Sequence, residues 1–313
     1  MVVIIVRAER EEFMNFDRFR DILKKEQIRL HEPMARHTTF GIGGPADCFL
    51  VPSSREELLR VCAVIREENM PFFILGGGAN LLVRDKGIRG AVIFMGRLQH
   101  VRQEGCRVIA EAGAATARVA RFAMEHGLSG MEFAGGIPGT IGGAAFMNAG
   151  AFGGDMSKIV ESAVTCDAEG HVRTYRAGEM GYAYRHSFFM EHPGEILVEL
   201  RLSLEPDDPE VIQKKMTEIN ESRHARQPVS SRSAGSTFKR PEGHFAGAMI
   251  EELGLKGYAV GDAAVSDVHA GFLINKGRAT CADMLALIRD IQEKVRARYG
   301  VDLEPEVQII GEE

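Results

Sequence analysis

The segment from Ala134 to Gly154 constrains the fold of this chain more than any other. It reads AGGIPGTIGGAAFMNAGAFGG and contains eight glycines together with large apolar residues. A flexible linker would be polar and rich in Gly and Ser. Glycine is required where φ is positive or where another group approaches the main chain closely. We therefore expect a buried, tightly turned backbone that wraps a large flat cofactor with a diphosphate tail. The alternative is a compact structural loop packed under a domain.

The composition is that of a soluble globular protein with more than one domain, because 313 residues are long for a single core. The formal net charge of −6 argues against a general nucleic-acid binder. The five cysteines include no CxxC pair, which is typical of a reducing cytosol. We therefore expect neither a disulfide framework nor a zinc site, and no other metal.

The N-terminus contains no segment that predicts export or membrane insertion. The apolar run Met1–Val6 is too short for a signal-peptide core or a membrane span. The acidic residues Glu9–Glu12 follow it in place of a cleavage site. We expect the first dozen residues to form an unstructured extension, and we expect no membrane contact.

Helical and strand-like patterns alternate along the chain and predict an α+β fold rather than one doubly wound sheet. Capping signals begin helices at Ser53-x-x-Glu56, at Asp208-Pro209 and at Thr280-x-x-Asp283. The strands 171–175 and 196–204, together with a turn at 168–170, are expected to be antiparallel. The predicted helices are 53–68, 116–126, 209–222 and 280–298, and the predicted strands are 72–75, 91–95, 108–112, 160–167, 171–175, 196–204 and 306–310.

Two short glycine motifs near the N-terminal end of the chain support different interpretations. The apolar strand Phe72–Leu75 runs into three glycines, Gly76–Gly78, whose consecutive N–H groups suit a diphosphate. We expect a positive φ at Gly77; a structural tight turn is the alternative. The second motif, Gly41-x-Gly43-x-x-Ala46, matches a dinucleotide fingerprint in letters only, because it contains Pro45 and lacks a preceding strand.

A basic segment follows a sharp change of composition near residues 220–227, where we expect a domain boundary. No acidic residue lies between Glu221 and Glu242. Arginine suits the bidentate binding of phosphate or carboxylate, so an anion site here is one interpretation and a solvated basic face is the other. The small-residue turn Ala234–Phe238 presents the hydroxyl of Ser236 inside this segment. Its cations are Arg223, Arg226, Arg232, Lys239 and Arg240.

Five segments of the chain occur in the same order as in the UDP-N-acetylenolpyruvoylglucosamine reductases of bacterial peptidoglycan synthesis. The resemblance extends from about His37 to Ile310. It is to the shorter class of that family, which lacks an extra tyrosine-bearing substrate loop. The segments are GGGANLLV, the glycine-rich segment described above, YRHSFF, AGSTFKRP and LEPEV.

The resemblance implies a two-lobed FAD-binding domain of the vanillyl-alcohol-oxidase (PCMH) type and a C-terminal α+β substrate-binding domain. In this chain it implies an N-terminal extension and helix in 1–32, an FAD-binding domain in 33–220 and a substrate-binding domain in 221–313. The FAD lobes would cover about 33–96 and 97–220, and the last strand can pack back on the FAD lobe.

The implied reaction is the NADPH-dependent reduction of an enolpyruvyl UDP-sugar to UDP-N-acetylmuramate. NADPH reduces FAD and leaves; flavin N5 then delivers hydride to C3 of the substrate, and a proton reaches C2. The resemblance implies a cytoplasmic, monomeric enzyme that acts on a C=C bond and whose partner is a small molecule. The alternatives are an FAD-dependent oxidase of an alcohol or sugar, from the same superfamily, and a non-catalytic nucleotide-binding protein.

The matching motifs also imply residue roles. Ser236 matches the general acid that protonates C2, and Arg185 and Glu306 match the pair that polarises the substrate carboxylate and stabilises the enolic intermediate. The implied substrate-binding residues are Tyr184, Arg226, Lys239 and Arg240; the last stands where the longer class has asparagine. The implied FAD-binding residues are Gly76, Gly77, Gly78, Ala79, Asn80, Leu81, Gly135, Gly136, Ile137, Pro138, Gly142, Gly143, Asn148 and Gly150.

Overall fold

The computed structural model describes residues 3–4 and 16–313, and the chain divides into two compact units. The expected N-terminal extension falls largely on residues 1, 2 and 5–15, which lie outside the described residues. Unit 1 consists of Met1–His31, Asp47–Gly77 and Gly90–Glu221, and unit 2 consists of Glu32–Ala46, Gly78–Arg89 and Ser222–Glu313.

The described residues form six α-helices and nineteen strands, many of them short. The helices are α1 (Arg55–Glu67), α2 (Thr116–Glu125), α3 (Ile141–Phe146), α4 (Pro209–Arg226), α5 (Ala246–Glu252) and α6 (Cys281–Tyr299). The strands are β1 (Val3–Ile4), β2 (Ile28–Pro33), β3 (Pro45–Leu50), β4 (Phe72–Leu75), β5 (Leu81–Val83), β6 (Ile88–Phe94), β7 (Val101–Glu104), β8 (Arg107–Glu111), β9 (Leu128–Ser129), β10 (Gly150–Ala151), β11 (Gly154–Asp155), β12 (Val160–Cys166), β13 (Val172–Arg176), β14 (Ile196–Ser203), β15 (Glu205–Pro206), β16 (Ala259–Val260), β17 (Ala263–Val265), β18 (Leu273–Asn275) and β19 (Gln308–Ile310).

The capping signals predict the starts of the helices well. Thr280 and Asp283 form the expected capping box at α6. At α1 the cap is displaced by one residue: the N-cap Ser54 hydroxyl accepts from the Glu57 N–H at 3.1 Å, and the Glu57 carboxylate accepts from the N–H of the preceding Ser53 at 2.7 Å. The prediction of Ser53 and Glu56 is therefore wrong by one position.

Other predicted elements differ from the structure in their bounds or type. Helix α4 continues four residues beyond the predicted end, to Arg226. The last strand contains Gln308–Ile310 rather than 306–310. In place of the helix expected within residues 1–32, the described residues of that range contain two 3-10 helices, Asp17–Asp21 and Lys25–Gln27. Helices α3 and α5 were not predicted at all.

Unit 1 contains two five-stranded sheets. The first has the order β1-β4-β6-β3-β2, in which β4 and β6 are parallel. The second, β13-β12-β14-β8-β7, is antiparallel throughout. The antiparallel strands predicted at 171–175 and 196–204 each pair with β12 and not with each other.

The middle strands of the second sheet are largely buried, whereas its outer strands β13 and β7 are largely exposed. Helix α1 contributes Leu58 and Val61 to one core, which also contains Ile196 and Val198 of β14. The neighbouring residue of β14, Leu197, belongs to the other core, with α2 and α3. This division follows from the alternation of side chains along a strand. The sheet therefore separates the two cores of unit 1.

Unit 2 has a core of its own. Strands β16, β17 and β18 form an antiparallel sheet, and α5 and α6 pack in the same core. Strand β19 pairs in parallel with β5, with Gln308 opposite Leu81. The motif Gly41-x-Gly43 leads into strand β3 and not into a helix, so it lacks the strand–turn–helix context of a dinucleotide-binding turn.

Helix α6 begins against a carboxylate from a distant part of unit 2. Asp85 accepts hydrogen bonds from the N–H groups of Cys281 at 2.8 Å and Ala282 at 3.0 Å. The first N–H groups of a helix have no partner within the helix, and negative charge is favourable beside them. Asp85 therefore connects 78–89 to the longest helix of the chain.

We predict that Asp85→Ala lowers the free energy of unfolding by about 1–2 kcal/mol, because it removes a cap and its charge from α6. Thermal and urea unfolding followed by circular dichroism measure this. The control is Glu293→Ala, which changes an exposed carboxylate in the same helix. Equal effects of the two substitutions would contradict the prediction.

Candidate active site

The two C-terminal motifs of unit 2 pair with each other. The Glu306 N–H donates to the Thr237 carbonyl at 2.7 Å, and the Lys239 N–H donates to the Glu304 carbonyl at 2.8 Å. Phe238 and Pro305 form an antiparallel bridge between these bonds. Ser236 therefore precedes the residue whose carbonyl binds the Glu306 N–H, although about seventy positions separate Ser236 and Glu306 along the chain.

A second segment supports Ser236 from the other side. Ser236 forms an antiparallel bridge with Phe272, and the Thr237 N–H donates to the Gly271 carbonyl at 2.9 Å. The preceding residue, Gly235, has a φ of +77°, which glycine adopts without strain. Ser236, which is half-buried, is thus held between two extended segments.

Sequence reasoning missed the segment 269–272, which pairs with the Ser236 strand. The His269 ring lies 5.0 Å from the Phe272 ring, and its Nδ1 accepts from the Gly271 N–H at 3.0 Å. Burial lowers the pKa of His269, so the neutral ring is favoured. The sequence HAGF at these positions carried the only signal, a histidine beside glycine and phenylalanine.

The basic segment does not behave as one patch. Lys239 forms an ion pair with Glu304, and the Arg240 guanidinium lies 4.0 Å from the centre of the Phe245 ring. Burial lowers the pKa of Arg223. Arg226, the last residue of α4, and Arg240 are exposed. Arg232 is exposed as well, so three of the five cations reach solvent.

The turn after β4 continues into unit 2 through Asn80. The Asn80 side-chain amide donates to the Glu306 carbonyl at 3.0 Å, and the Asn80 carbonyl accepts from the Gln308 N–H at 3.0 Å. Gly78 has a φ of +61°, and a Cβ there would lie 1.9 Å from the His37 carbonyl oxygen. One end of the predicted cofactor turn is therefore fixed beside Glu306.

In unit 1 the same turn meets the glycine-rich segment. A Cβ on Gly77 would lie 2.5 Å from the Gly139 Cα, so only glycine fits. The φ of Gly77 is not positive, and the expectation of a positive φ there is wrong; Gly78 has it instead. Among the described residues, no protein acceptor receives the N–H of Gly77 or Gly78, which fits a turn that binds an anion.

A cleft lies within unit 1 between residues of β4, α3 and β14. Its lining is largely apolar, which is common in sites for small molecules and cofactors. The lining includes Ile74, Met95, Ala112, Thr140, Gly142 and Ile196.

The N-terminus of α3 is occupied by the protein itself. The Gly142 N–H donates to the Ala112 carbonyl at 2.9 Å, and the Gly143 N–H donates to the Thr140 hydroxyl at 3.4 Å. A Cβ on Gly142 would lie 2.6 Å from the Ala112 Cβ. Gly142 therefore allows close packing in the cleft wall, and its N–H is already used.

Arg185 lies in a short turn closed by two hydrogen bonds of 3.2 Å between Ala183 and His186. Its φ is +54°, which is rare for a residue with a side chain. Its guanidinium donates to the Gly150 carbonyl at 3.3 Å and lies 5.2 Å from the centre of the Tyr184 ring. Tyr184 is 58% exposed. The glycine-rich segment thus supports the predicted arginine directly.

The structure brings the predicted residues together in two groups. Unit 2 unites Ser236, Glu306 and Asn80, and unit 1 unites Arg185, Gly150 and Asn148. The described residues contain no helix that is long and apolar enough to cross a membrane.

Two family models match the chain. The model described as "FAD binding domain" matches residues 46–176, and "UDP-N-acetylenolpyruvoylglucosamine reductase, C-terminal domain" matches residues 227–310. Among curated relatives, the UDP-N-acetylenolpyruvoylglucosamine reductase of Caldanaerobacter subterraneus subsp. tengcongensis is 49% identical over 95% of this chain and 98% of its own. That of Clostridium novyi is 45% identical over 93% and 95%.

A solved structure agrees with these matches. The crystal structure of UDP-N-acetylenolpyruvylglucosamine reductase (MurB) from Thermus caldophilus is 36% identical to this chain, with a TM-score of 0.79. The alignment covers 90% of this chain and 99% of that one. The similarity therefore includes both units.

We predict that Gly77→Val yields a folded protein with little or no bound FAD. The new side chain would collide with Gly139 and displace the turn. Flavin absorbance per mole of purified protein measures occupancy. The control is Gly178→Val, at an exposed glycine whose added Cβ would meet no atom within 4 Å. Full occupancy in Gly77→Val would exclude this turn from the cofactor site.

Proposed function

The chain belongs to the UDP-N-acetylenolpyruvoylglucosamine reductases, and from that premise we propose that Arg185, Ser236 and Glu306 are its catalytic residues. It is an FAD- and NADPH-dependent oxidoreductase of the shorter class of this family. It reduces an enolpyruvyl UDP-sugar to UDP-N-acetylmuramate in peptidoglycan synthesis. Its fold joins a two-lobed FAD-binding domain of the vanillyl-alcohol-oxidase (PCMH) type to a C-terminal α+β domain. No finding favours an FAD-dependent oxidase.

The observation that carries the catalytic assignment is the 2.7 Å bond from the Glu306 N–H to the Thr237 carbonyl. It joins two motifs that the resemblance assigns to one reaction centre. A serine and a glutamate carried by paired backbone segments can act on one small substrate group. Residues held by rigid elements maintain such a geometry better than residues of mobile loops.

When bound, FAD that has been reduced by NADPH supplies the hydride for C3 of the substrate. Negative charge then develops on C2 and on the adjacent carboxylate, and this chain's residues act on that charge. The Arg185 guanidinium offers paired donors that match a carboxylate. Donors already in place lower a barrier most, because they need no reorganisation during the reaction. Glu306 acts with Arg185 on the same group.

Ser236 holds the proton that C2 receives. A hydroxyl is a weak acid in water, so it can donate only to a strongly basic carbon placed beside it. The extended segments on both sides of Ser236 support this role, since they fix its backbone. The product is the lactyl ether of the sugar nucleotide.

The remaining assignments form part of the same proposal. Residues 76–81 hold the FAD diphosphate, and 135–150 surround the flavin. The substrate is bound by Tyr184, Arg226, Lys239 and Arg240. Of the three cations, Lys239 is the weakest candidate for binding a phosphate, because it already forms an ion pair with Glu304. We also propose residues 33–220 and 221–313 as FAD and substrate domains, a monomeric state and a cytoplasmic location.

We predict that Ser236→Ala binds FAD and is reduced by NADPH at the wild-type rate. Re-oxidation of the reduced flavin by the enolpyruvyl UDP-sugar should slow by about 10²- to 10⁴-fold, the contribution of a positioned proton donor. Anaerobic stopped-flow absorbance measures both half-reactions.

The control is Ser203→Ala, at the exposed end of β14. Equal slowing of both half-reactions in Ser236→Ala would make this serine structural. A wild-type protein that NADPH bleaches but the sugar nucleotide does not re-oxidise would overturn the proposed assignment of the substrate to this site.

We predict that Arg185→Ala and Glu306→Gln are strongly non-additive. When two residues act as one unit, removing either of them already removes most of their joint contribution to the rate. The reduced flavin of the double variant should therefore be re-oxidised only slightly more slowly than that of the slower single variant. Reduction by NADPH should change far less, because it forms no enolate. The measurement is single-turnover re-oxidation of the reduced flavin in the wild type, the two single variants and the double variant. Additive barriers would mean that the two residues do separate work.

A further inference from the structure

The turn that carries Arg185 needs support from outside itself. A residue with a side chain pays about 1–2 kcal/mol in the left-handed region that Arg185 occupies. Such conformations persist where the surroundings impose them, and they concentrate at functional sites. Two 3.2 Å bonds between Ala183 and His186 close the turn on itself. Its position relative to the rest of unit 1 must come from other contacts.

Asn148 supplies the central contact. Its side-chain amide donates to the Ala183 carbonyl at 2.9 Å, and its side-chain oxygen accepts from the Ser157 N–H at 2.9 Å. The residue is buried, with 7% of its surface exposed. One amide thus connects the start of the arginine turn to the segment that follows the β10–β11 hairpin.

Two further bonds anchor the same turn on the glycine-rich segment. The Ser187 hydroxyl donates to the Phe146 carbonyl at 2.6 Å, at the end of α3. The Arg185 guanidinium donates to the Gly150 carbonyl at 3.3 Å. The turn is therefore held before, at and after Arg185 by residues 146–150, and Asn148 lies at the centre of that set.

The chemistry of Asn148 suits this task better than cofactor binding. Its side-chain oxygen and one amide hydrogen are both used within the protein. Its φ is +44°, a conformation that asparagine tolerates better than most residues. An aspartate would turn a carboxylate oxygen towards the Ala183 carbonyl and repel it, so the donor is essential.

We infer that Asn148 is a positioning residue for Arg185 and controls the substrate half-reaction, in place of the FAD-binding role that the family resemblance implies for it. The inference rests on the proposed function of Arg185. A small displacement of a group that must meet the substrate carboxylate costs much rate, although the group itself is intact.

The test compares Asn148→Gly with Asn69→Gly. Glycine adopts the left-handed conformation freely, so Asn148→Gly removes the side-chain bonds without backbone strain. Asn69 is an exposed asparagine in the same conformation, with a φ of +47°, and serves as the matched control. Asn148→Asp is the second variant, since it keeps the acceptor for Ser157 and loses the donor for Ala183.

Three measurements are made on each protein: FAD occupancy, the two anaerobic half-reactions, and hydrogen exchange of a peptide covering 180–188. We expect both Asn148 variants to retain FAD and wild-type reduction by NADPH. Re-oxidation by the enolpyruvyl UDP-sugar should slow about 10- to 100-fold, and the peptide should exchange several-fold faster. Asn69→Gly should match the wild type in all three.

Other outcomes overturn the inference in distinguishable ways. Loss of FAD, or equal slowing of both half-reactions, would return Asn148 to the cofactor site. Faster exchange with unchanged re-oxidation would reduce its role to local stability. If wild-type flavin itself is not re-oxidised by the sugar nucleotide, the proposed function fails; if it is and the Asn148 variants match it, only the inference about Asn148 fails.

Discussion

The architecture of unit 1 depends on main chains that approach too closely for side chains. A Cβ on Gly77 would lie 2.5 Å from the Gly139 Cα, and one on Gly142 would lie 2.6 Å from the Ala112 Cβ. At these two contacts the glycine-rich segment packs directly against the turn after β4 and against the end of β8. Because α3 starts from this packed segment, the positions of Asn148 and Gly150 follow from it. The glycines are needed for proximity here more than for flexibility.

Hydrogen bonds of the main chain and of two side chains then position the side chains that we propose as catalytic. In unit 1, Asn148 and Ser187 bind the turn of Arg185 to 146–150. In unit 2, Thr237 and Lys239 pair with Glu306 and Glu304. None of these bonds involves a reacting atom. They replace water with fixed partners, and a polar group fixed in advance is what a developing charge requires.

Local signals predicted the elements that local chemistry determines. The apolar run Phe72–Leu75 and the capping box of Thr280 and Asp283 identified β4 and α6 correctly. Helix α3 was missed because two of its six residues are glycine, which disfavours helix; the Thr140 cap and the Ala112 carbonyl stabilise it. The left-handed φ of Arg185 was equally invisible, since nothing in an arginine predicts it. The proposed roles of Ser236 and Glu306 come from the ordered motifs; the cationic segment drew attention only to the Ser236 hydroxyl.

Proline restricts the registers in which the two C-terminal motifs can pair. The bonded positions are Glu306 with Thr237 and Lys239 with Glu304, so Pro305 falls opposite Phe238, where no N–H is required. A slip of one residue would ask Pro305 to donate a hydrogen bond, which it cannot do. Such a slip would also exchange the faces of the strand and turn Glu306 away from its present side. Pro305 therefore disfavours the one-residue slip that would turn Glu306 away from the Ser236 segment.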